Sequence, residues 1–210
     1  MTYKIASRVS ALVLLFNLNI TNLQADKTLE VKMQTSAGDV VIELYPESAP
    51  LSVANFLRYV DAGYYTNSQF YRVVRLDNQA QNKIKIEVIQ GGLGAATEVS
   101  PFEPIAHEPT NASGLRHTDG VISMARSEPG SAASEFFICI NDQPELDFGG
   151  TRNPDGQGFA AFGKVIAGMD VVRAIQNMKT DSPPKGELEY TSGQILIEPV
   201  MITQISRLVE

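Results

Sequence analysis

Apolar and polar residues alternate along much of this chain with the period of two that marks a half-buried strand. Leu29, Val31 and Met33 alternate with polar neighbours, and Val40, Ile42 and Leu44 do the same after Ser36-Ala37-Gly38-Asp39. That pair predicts an antiparallel hairpin. Phe70–Val74, Ile84–Ile89, Val121–Ala125, Phe136–Ile140, Phe159–Ile166 and Glu198–Leu208 predict further strands, the last able to pair with the first. On a strand, Phe136 and Phe137 point to opposite faces, so one ring can enter a core while the other lines a surface depression.

Two stretches change period. Val53, Phe56, Leu57 and Val60 recur at i, i+3, i+4 and i+7, one apolar stripe of a helix. Ser48 can cap this helix, Pro50 falls in its first turn, and Gly63 stops it. Val171, Ala174, Ile175 and Met178 make a second stripe, with Asp170 favouring the helix start through the dipole. Polar or irregular segments separate the elements: 75–83, 93–120, 127–133, 141–158 and 179–194. Phe102, Ile105 and Leu115 predict that the longest of these wraps a surface. There is no internal repeat. Many antiparallel strands with only two helices predict a mainly β fold, a closed antiparallel barrel capped by two α-helices.

The amino terminus reads differently. Lys4 and Arg8 precede an apolar stretch from Val9 to Leu18, and Leu23-Gln24-Ala25 precedes the charged Asp26-Lys27. That order predicts a cleavable secretory signal peptide over 1–25, ahead of a single domain over 26–210. Its apolar part is short for a bilayer span, and no other segment is long and apolar enough, so no stable membrane insertion is expected after cleavage. Losing Lys4 and Arg8 and no acid takes the formal charge from -7 to -9 (-7 minus 2). An acidic chain with no basic run argues against nucleic acid as a partner. Cys139, the only cysteine, reads as a small buried apolar residue and excludes an internal disulfide. Export without disulfides is compatible with a bacterial periplasm, and a monomer is the expected state.

The search for chemistry begins with exclusions. There is no Gly-x-Ser-x-Gly, and His107 and His117 lack a spaced carboxylate, which makes a poor metal site. Both read as ordinary polar loop residues. Gly91-Gly92-Leu93-Gly94 is followed by neither a helix pattern nor a lysine, a weak phosphate-loop signal. Asn111-Ala112-Ser113 matches a glycosylation sequon. What remains is Arg72 within Phe70–Val74, then Gln90-Gly91-Gly92, Ser123-Met124-Ala125 and Glu135-Phe136-Phe137-Ile138. An arginine beside an apolar strand core is costly to bury unpaired, so alone it reads as solvent-facing.

Taken in order, these blocks resemble the cyclophilins, barrel-shaped peptidyl-prolyl cis–trans isomerases, over nearly all of the chain beyond residue 25. Ala49–Phe56 is similar to the family's first-helix signature, and Gly63-Tyr64-Tyr65 with Phe70–Val74 to the strand carrying its catalytic arginine. Ile89–Gly92, Gly120–Arg126, Ser134–Ile138 and Ala161–Val165 follow in the family's order. Pro104–Arg116 most resembles the bacterial exported branch. The resemblance implies Arg72, Gln90 and Phe137 as the catalytic set, with Gln90 holding the substrate backbone. It implies that Val88, Phe137 and Leu146 line a proline pocket, and that Ala125 and Arg126 bound the groove for the residue before proline. Glu135, in place of the usual Gln, and Phe159, where His or Tyr is common, belong to the same surface. Glu87 stands where a pocket Phe is usual, and Glu145 near a rim Trp or Phe. The implied activity is isomerisation of X–Pro bonds in exported polypeptides, with proline-containing chains as partners and neither metal nor cofactor. The alternative is a catalytically weak peptide-binding or chaperone module, its pocket spoiled by Glu87 and Glu145.

Overall fold

The computed structural model describes residues 28–94, 100–181 and 189–208, together with Met1; apart from Met1, the predicted signal peptide lies outside them. Strands β1 (Leu29–Thr35) and β2 (Gly38–Leu44) form the expected hairpin, with Thr35 opposite Gly38. Then come β3 (Ser68–Val74), β4 (Val88–Gly92), β5 (Val121–Met124), β6 (Phe136–Cys139) and β7 (Ala160–Ala167). The chain closes with β8 (Thr180–Asp181) and β9 (Ile195–Leu208). Neighbours run β1-β2-β7-β5-β6-β4-β3-β9, and β9 pairs back onto β1. Eight antiparallel strands therefore close into a barrel, which leaves no free edge within the ring, and short β8 adds to the outside of β9.

The two faces of β6 build two different cores. Phe136 points into the barrel, edge-on to Phe56, Tyr65 and Phe70. Phe137 points the other way, into a smaller cluster with Val74, Ile86, Val88, Cys139 and Leu146. The division expected from the period of two is thus present. Cys139 is fully enclosed there, and burial pushes its thiol pKa well up, so it is an inert packing residue.

Helix α1 (Pro50–Asp61) buries Val53, Phe56, Leu57 and Val60 and packs on β7 and β9. The expected Ser48 cap is not what holds its start. Ala49 is the N-cap and offers no side-chain bond. The cap comes instead from Glu108, in the long loop. Its Oε1 accepts from the Leu51 amide at 2.9 Å, and its Oε2 from the Ser52 amide and hydroxyl at 2.8 and 2.7 Å. A carboxylate there satisfies orphan donors and complements the helix dipole. Glu108→Ala should therefore cost about 2–3 kcal/mol, seen as a lower urea midpoint at unchanged slope. A midpoint equal to wild type would show that solvent caps the helix as well.

The rest of that loop wraps the barrel as expected, with Phe102, Ile105 and Leu115 packed on the main core. It also holds a four-residue helix, α2 (Thr110–Ser113), so the described residues form three α-helices where two were expected. Helix α3 (Met169–Gln176) packs on β2, β3 and β4 through buried Val172 and Ile175. Ala174 is exposed, and Met178 lies beyond the helix end, so the expected stripe is only partly right. Gly168 precedes α3 with φ +90°, and a Cβ there would lie 2.4 Å from the Asp39 carbonyl oxygen. Only glycine permits that crossing.

The strand expected at Ile84–Ile89 begins later, at Val88. Side chains do the pairing upstream. The Gln79 amide donates to the Ile86 carbonyl at 2.6 Å and accepts from its N–H at 3.2 Å, as a neighbouring strand would. Arg152 donates to the Ile84 carbonyl at 2.5 Å. Among the described residues, no helix is long and apolar enough to cross a membrane.

Candidate active site

Strand register brings the expected residues into one row. Arg72 on β3 lies opposite Gln90 on β4, Gln90 lies opposite Phe137 on β6, and Phe137 lies opposite Ser123 on β5. Directly opposed residues share a face of the sheet. The β3 register shifts between Phe70 and Arg72. This irregularity lets Tyr71 and Arg72 both face the groove, although a regular strand would send them to opposite sides. All nine residues singled out from sequence (Arg72, Gln90, Phe137, Val88, Ala125, Arg126, Glu135, Leu146 and Phe159) line one depression of about 570 Å³.

Arg72 is half-buried yet forms no ion pair among the described residues. Two glutamine carbonyls hold it instead. Gln90 Oε1 accepts from Nη1 at 2.8 Å; Gln194 Oε1 accepts from Nε at 2.9 Å and Nη2 at 2.6 Å. The Tyr190 ring stands beside the guanidinium, 5.6 Å from Cζ. Burial lowers the Arg72 pKa, but a guanidinium stays charged at any ordinary pH. A guanidinium has five N–H bonds, and three are used, so one on Nη1 and one on Nη2 remain.

Gln90 is itself oriented by a relay. Its Nε2 donates to the Tyr71 hydroxyl at 2.8 Å, and that hydroxyl donates to Glu135 at 2.5 Å. Burial and the nearby Glu135 carboxylate push the Tyr71 phenol pKa well up, so it remains a donor. Glu135 also accepts from the Gly94 amide at 2.9 Å and the Ser134 hydroxyl at 3.2 Å. Because the carboxylate can only accept, each donor in the chain has a fixed direction, and the Gln90 carbonyl is left facing Arg72.

The floor of the depression is apolar. Phe137 is 5% exposed and Leu146 1%, and Phe159 stands edge-on to Phe137 at 5.2 Å. Arg126 forms a wall, its side chain 1% exposed, stacked over Phe159 and paired with Asp155 at 2.8 Å. That bond, with an N–H from Gln157, lowers the Asp155 pKa to about 2. Glu87 does not enter the pocket: its carboxylate accepts from Asn141 at 3.0 Å, and Ile86 lines the wall in its place. Glu145 likewise turns away, accepting from the Thr151 amide and hydroxyl at 2.8 and 2.6 Å.

His117 corrects the sequence reading. It is not an ordinary loop residue but lies buried beneath Phe137, ring centroids 6.0 Å apart and nearly parallel. Its Nδ1 meets Asp147 at 2.8 Å and its Nε2 meets Ser123 at 3.0 Å. This Ser–His–Asp row has no access to substrate, since Ser123 and the His117 side chain are 0% exposed. It braces the pocket from behind. Burial raises the Asp147 pKa, but hydrogen bonds from His117 and Arg116 outweigh it, and the net shift is downward from 3.8. The folded state therefore holds this proton less tightly than the unfolded chain, and the stabilisation is full above 3.8 and lost as pH falls through the lower folded value. Asp147→Asn should flatten the acid limb of stability against pH below about 4; an unchanged limb would contradict this assignment. His107, in contrast, meets the Gln157 carbonyl at 3.0 Å.

Comparison with known proteins decides the family. The family model described as "Cyclophilin type peptidyl-prolyl cis-trans isomerase/CLD" matches residues 30–203. The chain belongs to the cyclophilin-type peptidyl-prolyl cis–trans isomerases. It is 41% identical over 175 residues to a peptidyl-prolyl cis-trans isomerase of Acinetobacter baylyi, covering 79% of this chain and 84% of that one. To peptidyl-prolyl cis-trans isomerase B of Escherichia coli it is 34% identical over 177 residues, covering 83% and 99%. Similar relatives also occur in plants and fungi. A crystal structure of a cyclophilin-type isomerase of Cryptosporidium parvum shares the fold, with TM-score 0.64 at 24% identity, covering 88% of this chain and 99% of that one.

Among the residues of this cyclophilin that sequence reasoning missed is Gln194, which does not line the groove but holds Arg72. It lies 122 positions from Arg72, at the end of a stretch read only as turn-rich. It is 0% exposed, and among the described residues its Nε2 has no partner. An unsatisfied buried donor costs about 1–3 kcal/mol, set against the two bonds that the amide oxygen accepts from Arg72. No group of three or more His, Cys, Asp or Glu that could hold a metal occurs among the described residues.

Proposed function

We propose that this isomerase turns X–Pro bonds in polypeptides exported to a bacterial periplasm, with Arg72 stabilising the twisted amide above the Phe137 floor. Rotation about a peptide bond faces a barrier of roughly 18–20 kcal/mol because the C–N bond is partly double. The cis and trans ends of X–Pro differ by only about 0.5–1 kcal/mol, so the difficulty is kinetic. At the halfway point conjugation is lost, and the prolyl nitrogen becomes a better acceptor. A guanidinium aimed there favours the transition state over either planar end.

The observation that carries this reading is the grip on Arg72: three N–H groups fixed by two glutamine carbonyls, two left over, and an apolar floor beside them. The fork needs no reorganisation during the reaction. An apolar slot for the ring, formed by Val88, Phe137 and Leu146, would hold one side of the bond while the other turns. Gln90 would steady the substrate backbone, and Ala125 and Arg126 would bound the residue before proline. A related solved structure was determined "in the presence of dipeptide ala-pro", which agrees with a prolyl peptide as ligand. The reading of a spoiled, weakly catalytic pocket rested on Glu87 and Glu145, and both carboxylates turn elsewhere.

Export is supported by the basic, apolar and small-residue order of 1–25 and by the resemblance of Pro104–Arg116 to exported relatives. Expression of the full chain in a bacterium, fractionation and amino-terminal sequencing test it. A periplasmic chain beginning near Asp26 is expected, and a cytoplasmic chain retaining residues 1–25 would refute export.

A further inference from the structure

The charge around the groove contrasts with the charge of the chain. The protein is acidic, at -7 overall, yet three arginines and one carboxylate line the depression. Glu135 keeps its charge while accepting from the neutral Tyr71, Gly94 and Ser134, and Arg126 is paired with Asp155. That leaves Arg72 and Arg152, and every acceptor they meet is neutral. Arg152 Nη1 donates to Gln79 Oε1 at 3.2 Å and to the Ile84 carbonyl, and neither arginine forms an ion pair among the described residues. Burial, and then the charge of Arg72, lower the Arg152 pKa to about 10, so it remains a cation at neutral pH. Three arginines against the carboxylates of Glu135 and Asp155 leave a net positive charge at the depression, and Arg72 and Arg152, without a carboxylate partner among the described residues, leave a field that a bound anion would relieve.

Position says where the anion belongs. The Arg152 amide donates to the Glu145 carbonyl at 3.2 Å, which sets it beside Leu146 of the apolar slot, and its guanidinium reaches the Ile84 carbonyl. Ala125, Arg126, Ser131 and Glu135 line the groove as well, and the reading above gives Ala125 and Arg126 to the residue before proline. We propose that Arg152 selects prolyl bonds whose following residue is acidic, its free N–H groups taking the carboxylate of a Pro-Glu or Pro-Asp segment. This rests on the proposed use of the groove, and it adds a substrate class to it.

The test measures kcat/KM for matched peptides: Ala-Ala-Pro-Glu against Ala-Ala-Pro-Gln, and Glu-Pro-Ala against Gln-Pro-Ala. A charge-assisted contact of this kind should favour Pro-Glu over Pro-Gln by about 5- to 20-fold at low salt, shrinking in 0.5 M salt. The Glu-Pro pair should show no such preference. Arg152→Gln should bring the Pro-Glu ratio close to one, and Arg152→Lys, which keeps the charge, should retain most of it. A wild-type ratio near one, or a ratio that survives Arg152→Gln, would overturn the proposal while leaving the prolyl isomerase reading intact. Failure to turn over any of the four peptides would overturn both.

Discussion

Replacing Arg72 by alanine is expected to cut kcat/KM on an Ala-Pro peptide by roughly 30- to 1,000-fold, a loss of about 2–4 kcal/mol in transition-state stabilisation. The size follows from what is removed. Arg72 reaches the groove with two free N–H groups, held by acceptors that cannot take its charge away. The amide nitrogen gains basicity only when it twists, so on the mechanism proposed above the interaction would be made in the transition state and not with either planar end. Arg72→Lys should recover little of the loss. An ammonium is a point charge on a flexible stem, and it cannot meet Gln90, Gln194 and substrate with a rigid fork. Turnover of either variant at the wild-type rate would refute the assignment.

Gln194→Ala should lower kcat/KM by about 10- to 100-fold although Gln194 need not touch the peptide. One carbonyl oxygen holds both Nε and Nη2, and this fixes the plane of the guanidinium. Without it, Gln90 alone holds one corner at Nη1, and the fork can swing about Cδ–Nε. A purely structural role would predict a lower melting temperature and parallel losses in every background. A positioning role predicts coupling: once Arg72 is alanine, Gln194→Ala should change kcat/KM hardly at all. Additive losses in the double variant would show that Gln194 acts on something other than Arg72.

Local patterns carried much of the fold. The period of two placed most strands and separated Phe136 from Phe137, because pleating is a property of consecutive residues. The stripe Val53, Phe56, Leu57 and Val60 placed α1 for the same reason. What local patterns could not carry were partners remote in sequence. Glu108 caps α1 from 56 positions away, and Gln194 holds Arg72 from 122. Each is a single polar residue in a stretch without periodicity, so nothing nearby marks its role. The turning of Glu87 away from the pocket is not legible either, because Gln79 side-chain bonds to Ile86 hold the segment before the strand while Ile86 lines the pocket. His117 was undervalued because its carboxylate partner, Asp147, lies 30 positions downstream.

The candidate site was legible differently. Arg72, Gln90 and Phe137 were named by resemblance, and cross-strand register explains why three residues so far apart in sequence share one row. Resemblance gave no reason for an arginine to survive beside an apolar core. The glutamine acceptors give it, by satisfying the guanidinium without neutralising it.

Exchange spectroscopy on one Ala-Pro peptide, bound in turn to wild type and to Arg72→Ala, separates holding the peptide from twisting it. If the guanidinium serves the twisted amide, the cis–trans exchange rate within the complex should fall more than about 30-fold while the dissociation constant moves less than about 5-fold. Equal losses in exchange and affinity, or undiminished exchange in the variant, would contradict that account.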